Sequence, residues 1–155
     1  MTHLDEEPTV LAVQPPLDAR ETELVAGLAG VGPGPRRVWP GQPGRRSPWV
    51  PCPDGCCLAL ELRAEADPVE WLRFLVREVL APEARVPRER AQRWGLPGGH
   101  RVDGEVVLAG VLRPRLLVAV GRRVRVVPLD EDLSPPEPQR RVRGEVVELT
   151  GRLDN

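Results

Sequence analysis

The residues of this chain with the strongest metal-ligand character are Cys52, Cys56, Cys57 and His100, arranged as Cys52-x-x-x-Cys56-Cys57 with the histidine far downstream. Thiolates and an imidazole are what zinc takes in a tetrahedral site, and the turn Pro53-Asp54-Gly55 would bring two thiols together. The spacing is not that of a zinc knuckle, and no second paired motif accompanies it. The competing reading is structural: a cysteine on a strand commonly serves as a small buried hydrophobe. Neighbouring strand residues point to opposite faces, which makes Cys56 and Cys57 poor partners for each other. A Cys52–Cys56 bridge across the hairpin would stay reduced in a cytoplasm. No cofactor is expected on these grounds.

Nucleophilic catalysis needs a nucleophile, a base and an orienting group. The histidines are His3, in an acidic leader, and His100; Ser47 and Ser134 each precede a proline and lie in loops. A Cys57/His100 pair across a sheet has no local support in the sequence. Glu61, Asp103 and Glu105 supply carboxylates on strands, where acids ordinarily form the wet face. The sequence therefore favours a non-enzymatic protein, with a metal- or thiol-dependent enzyme around Cys52, Cys56, Cys57 and His100 as an alternative.

Charge is unevenly spread. From Arg85 to Pro128 there are ten Arg against three acids, whereas residues 1–30 carry one Arg and six acids, and residues 129–139 four acids and no base. Arg85, Arg88, Arg90 and Arg93, with the hairpin tip Arg122, Arg123 and Arg125, are candidates for contacts to a phosphate backbone, and Trp94 for stacking on a base. The plain alternative is a charged surface neutralised by the acidic segments of the same chain. The glycines of residues 30–34 alternate with proline and match no phosphate-cradling loop, since proline lacks the N–H donor.

Hydrophobic spacing suggests the elements that hold these residues. Thr9–Val13 reads as a strand stopped by Pro15-Pro16, and Asp18 with Glu21 forms a capping box for a helix carrying Leu24, Val25 and Leu28. Residues 31–48, with five Pro and four Gly, read as a loop made basic by Arg36, Arg37, Arg45 and Arg46. Trp49-Val50 and Cys56–Leu62 flank the Pro53-Asp54-Gly55 turn as a hairpin. Asp67, Pro68 and Glu70 open a second helix whose Trp71, Leu72, Leu75, Val76, Val79 and Leu80 form one broad apolar face, closed by Pro82. Arg73 and Arg77 lie on its other side, with Glu70 spaced to pair with either. Residues 83–100 read as an irregular Arg-rich insertion. Strands follow at Val102–Ala109, Arg115–Val120, Arg123–Val127 and Glu145–Leu149, with an acidic proline-rich loop before the last. Arg101–Val107 (RVDGEVV) nearly repeats at Arg141–Val147 (RVRGEVV), a match that valine-rich strands produce easily.

The expectation is α+β: a mainly antiparallel sheet with two helices on one face and long Pro/Gly/Arg-rich loops. It is a single domain over residues 9–150, after an acidic tail over 1–8. The chain has 155 residues, 41% of them apolar, and a net charge of −1. That balance excludes a disordered polyelectrolyte and a globally basic nucleic-acid coat. All 22 bases are Arg, and Lys, Ile and Tyr are missing, a bias of GC-rich genomes that also excludes lysine Schiff-base chemistry. The acidic start is no secretory signal and no apolar run spans a membrane, so a cytoplasmic protein is expected.

Several short motifs stand out: Pro15-Pro16-Leu17 with Glu21, Gly41-Gln42-Pro43, Trp49-Val50-Pro51 with Asp54-Gly55, Glu70-Trp71-Leu72, and Gly104-Glu105-Val106. In these the chain resembles a group of uncharacterised proteins of similar size from actinobacteria and their phages, over most of residues 10–127. It departs from them at Arg63–Ala66 and Val111–Pro114, where the group is acidic and aromatic, in the stretch 83–98, and in its Cys pair. The resemblance implies no particular activity. The first functional expectation is an interaction module for a protein partner or its own copy; the second is nucleic-acid binding through residues 85–128.

Overall fold

In a computed structural model of the chain, residues 10–32, 38–61, 65–109 and 113–129 are described. The acidic tail, Arg36 and Arg37, the acidic loop after Leu129, the strand expected at 145–149 and the second copy of the repeat lie outside them.

Strand β1 (Val10–Gln14) leads through a cis Gln14–Pro15 peptide to helix α1 (Ala19–Leu28). The capping box is formed: Asp18 accepts from the Glu21 amide at 2.8 Å, and Glu21 accepts from the Asp18 amide at 3.0 Å. Strands β2 (Trp49–Pro51) and β3 (Cys57–Leu60) make the expected hairpin. Helix α2 (Pro68–Leu75) is capped by Asp67, whose carboxylate accepts from the Val69 and Glu70 amides. Glu70 does not pair with the arginines: Arg73 donates to the Val124 carbonyl, and Arg77 pairs with Glu78. The helix continues as a π turn over Val76–Leu80, closed by a bond from the Ala81 amide to the Val76 carbonyl.

The stretch 83–100 is not wholly irregular. Arg85–Arg93 forms a third helix, α3, correcting the expected count of two. Periodicity missed it because Ala91 is its single buried residue; Val86 is exposed and most of the remainder is charged. Pro87 sits in the first turn, where its missing N–H costs nothing, and Arg85 pairs with Glu89 at 3.5 Å. The helix rests on the π turn, and Arg90 reaches Glu78 at 3.2 Å.

Strands β4 (Arg101–Leu108), β5 (Arg115–Val120) and β6 (Arg123–Pro128) complete a six-stranded sheet in the order β2-β3-β1-β4-β5-β6, antiparallel at every pairing. Alternation sends Leu11, Val13, Leu58, Val102, Val106 and Leu117 to one face, where they pack with Leu24, Leu28, Trp71, Leu72, Phe74 and Leu75. The α+β expectation holds, with the helices on a single face. Among the described residues nothing covers the opposite face, on which Val10, Val107, Val120 and Val127 are exposed. The proline-rich loop also feeds the core, since Trp39 and Ser47 are buried and the Ser47 amide bonds to the Leu28 carbonyl at 3.0 Å.

Candidate metal centre

The three cysteines occupy the tip of the β2–β3 hairpin, and bonds that do not involve sulfur fix that tip. Cys52 donates its amide to the Cys57 carbonyl at 3.1 Å, and Gly55 donates to the Cys52 carbonyl at 2.9 Å. From the other side, the Leu17 amide bonds to the Gly55 carbonyl and the Val13 amide to the Cys56 carbonyl, both at 2.9 Å. Gly55 has φ +74°, and a Cβ there would collide with the Leu17 carbonyl, so the turn demands glycine.

Within this frame the Sγ atoms of Cys52, Cys56 and Cys57 all lie within 4.8 Å of one another, and those of Cys52 and Cys56 are 3.4 Å apart. Sulfurs bound to one cation at a metal–sulfur distance near 2.3 Å sit roughly 3.8–4.0 Å apart, so the cluster already has about the right size. Strand alternation, expected to separate Cys56 from Cys57, does not apply: β3 begins at Cys57, and Cys56 still belongs to the turn. Cys56 is exposed and the other two are half-buried.

The three thiols divide their protons unequally. Burial works against ionising Cys52, but hydrogen bonds from the Cys57 and Cys56 thiols and from their backbone outweigh it and bring the group down to about 7. Burial, then the bond and charge of Cys52, push the Cys57 thiol up to about 12. Cys56 is raised as well, chiefly by its bond to Cys52. The turn thus holds one thiolate near neutrality and two thiols that a cation would deprotonate on binding.

His100 takes no part. It is 3% exposed, with Nε2 2.8 Å from Glu21 Oε2 and Nδ1 2.6 Å from the Pro15 carbonyl oxygen. Both neighbours are acceptors, so both ring nitrogens donate and the ring is an imidazolium. Burial opposes that charge, yet the Glu21 bond and the Pro15 carbonyl hold the His100 pKa above its ordinary value. Burial also opposes a charged Glu21; the His100 bond and the Asp18 and Gly98 amides prevail and hold its carboxyl below the usual range. This constellation escaped sequence reading, because its members stand 79 residues apart and Glu21 was already accounted for as a cap. The expected fourth ligand is instead half of a buried ion pair, and the Cys57/His100 pairing falls with it.

The arginines do not form one surface. Arg90 is tied to Glu78, Arg85 to Glu89, and Arg122 to Glu83 at 2.8 Å. Arg88 and Arg93 are exposed on α3, on the helix side of the sheet, whereas Arg123 and Arg125 alternate onto the uncovered face. Arg122 lines a cleft of about 370 Å³ with Arg73, Arg77 and Val124. Trp94 packs on Trp39, with ring centroids 5.4 Å apart. Asp103 accepts from the Gly121 amide and pairs with Arg101, and Glu105 faces outward from β4.

Among the described residues, then, the cysteine turn alone gathers three potential ligands, and no imidazole or carboxylate joins it. No helix among them is long and apolar enough to cross a membrane. Compared with protein-family models, with curated proteins and with solved structures, the chain has no match.

Proposed function

We propose that this chain binds a thiophilic closed-shell cation of the zinc, cadmium or copper(I) class through Cys52, Cys56 and Cys57. The observation that carries the reading is the convergence of three sulfurs on a turn whose shape is set by backbone bonds and by Gly55. Soft thiolates select such cations over magnesium or calcium. Three sulfurs leave a fourth position toward solvent on the Cys56 side, which suits a site that exchanges its ion. Among the described residues no imidazole joins the cluster, and the turn's own Asp54 works against ionising Cys56, so binding accounts for the arrangement better than hydrolysis does. The site works only with reduced thiols, in keeping with the cytoplasmic setting expected from the sequence.

Titration of the reduced protein with Cd²⁺ tests this. A thiolate-to-metal charge-transfer band should rise and saturate at one equivalent, and Cys52→Ser should abolish it. Absence of the band, or a band indifferent to Cys52→Ser, overturns the reading. A second reading, an interaction module, is favoured by the uncovered sheet face.

A further inference from the structure

The uncovered face of strands β4, β5 and β6 carries an ordered pattern. Register places Val107, Leu116 and Val127 in one cross-strand row and Glu105, Val118 and Arg125 in the next. The third row has Val120 beside Arg123, with Asp103 two residues before Glu105 on the same side of β4. Read by columns, β5 presents only apolar side chains, β4 contributes Glu105 and Asp103 on one flank, Asp103 being already paired with Arg101 at the end of the same column, and β6 contributes arginines on the other. Val120 is 55% exposed, Val107 42% and Val127 38%. None of the ion pairs among the described residues involves Glu105, Arg123 or Arg125.

This pattern is complementary to itself in one orientation. A twofold axis parallel to β5, lying above the sheet, exchanges the two flanks and keeps the height along the strand. It sets Glu105 of one copy over Arg125 of the other and Asp103 over Arg123. The apolar column meets its own equivalent, and Val107 meets Val127. A twofold axis across the strands would instead leave acids over acids and arginines over arginines. We propose that this face docks on the same face of a second copy of the chain, through the axis parallel to β5. The result is an aligned two-sheet sandwich with side chains filling a gap of about 10 Å. The patch is three strands wide and as long as the six-residue β5, only about 14 by 20 Å, small for a permanent dimer, so the association is reversible.

The proposal is independent of the metal site, and its test is run on the full chain with reductant and a chelator present. Sedimentation velocity over a rising concentration series should show a monomer–dimer equilibrium. Glu105→Arg alone and Arg125→Glu alone should each raise the dimer dissociation constant more than about tenfold, through like charges brought face to face. Mixing those two variants should restore association as a heterodimer, and the double variant should regain the homodimer. Both side chains are exposed, so thermal melts of the variants should match the parent. If either variant misfolds, Val120→Glu at the centre of the third row replaces it, with the same loss expected. A parent that stays monomeric up to about 1 mM, as it would if residues 130–155 or another protein covered this face, overturns the proposal. So does a dimer indifferent to the charge reversals, or a mixture that fails to associate.

Discussion

Two polar clusters hang from the same short segment, Pro15-Pro16-Leu17, and they have opposite characters. Pro15 offers its carbonyl to His100, and Leu17 offers its amide to Gly55 beneath the cysteines. In the Glu21–His100 joint every donor meets an acceptor, two charges compensate each other, and water is excluded. Such a group has no capacity left for a ligand; it locks the start of α1 to the strand entering β4. In the cysteine turn three like groups face one another, Cys52 ionises more readily than its two neighbours, and one side remains open. Both clusters show perturbed titration, so perturbation alone does not mark a site. Unfilled valence does.

The largest effect separating the two should come from removing a partner in the buried joint. Glu21→Ala strands a buried imidazolium and should cost about 3–5 kcal/mol in denaturant unfolding. Cys52→Ser, by contrast, should leave the unfolding curve nearly in place. Next, Cd²⁺ at a hundredfold over its dissociation constant should stabilise the parent by about 2.7 kcal/mol and Cys52→Ser not at all. Gly55→Ala should cost about 1–3 kcal/mol, since φ +74° and the Leu17 carbonyl both oppose a side chain, and it should weaken Cd²⁺ binding in the same step. An unchanged Cd²⁺ affinity there would show that the cluster does not depend on the turn.

A gentler test is pH. His100 is raised in the fold, so its contribution is complete below its ordinary value of 6.5 and fades as pH climbs through the folded value. Glu21 is lowered, so its contribution is complete above 4.5 and fades as pH drops through its folded value. Thermal stability of the metal-free protein should therefore peak between these limits, and His100→Gln should flatten the alkaline limb. The smallest expected change is in Cys56→Ser, an exposed thiol whose loss should alter stability by less than about 0.5 kcal/mol.

What the sequence disclosed follows from range. Asp18, Glu21, Asp67 and Pro68 act within one helical turn, and the apolar stripe of α2 repeats at its own period, so both helices were legible. The hairpin at Pro53-Asp54-Gly55 was equally local. Helix α3 was hidden because it buries almost nothing, and helix signals written in charge resemble any exposed segment. His100 was misassigned because its chemistry is decided by Glu21 and Pro15, which only the closed sheet brings near. The cysteine pattern is visible in the sequence, but the closeness of its three sulfurs is not, since that depends on β3 starting at Cys57 rather than Cys56. The self-complementary face needed register, which no single strand carries.

The π turn at Val76–Leu80 has one more consequence. It stores a single residue of slack between α2 and Pro82. Straightening it into an unbroken α-helix with that residue kept would turn everything beyond by about 100° and push it on by about 1.5 Å. Glu78 would then no longer meet both Arg77 and Arg90, and α3 would lose its seat. The wide turn works as a phase adjuster, letting one stretch of chain serve the sheet on one side and a charged helix on the other.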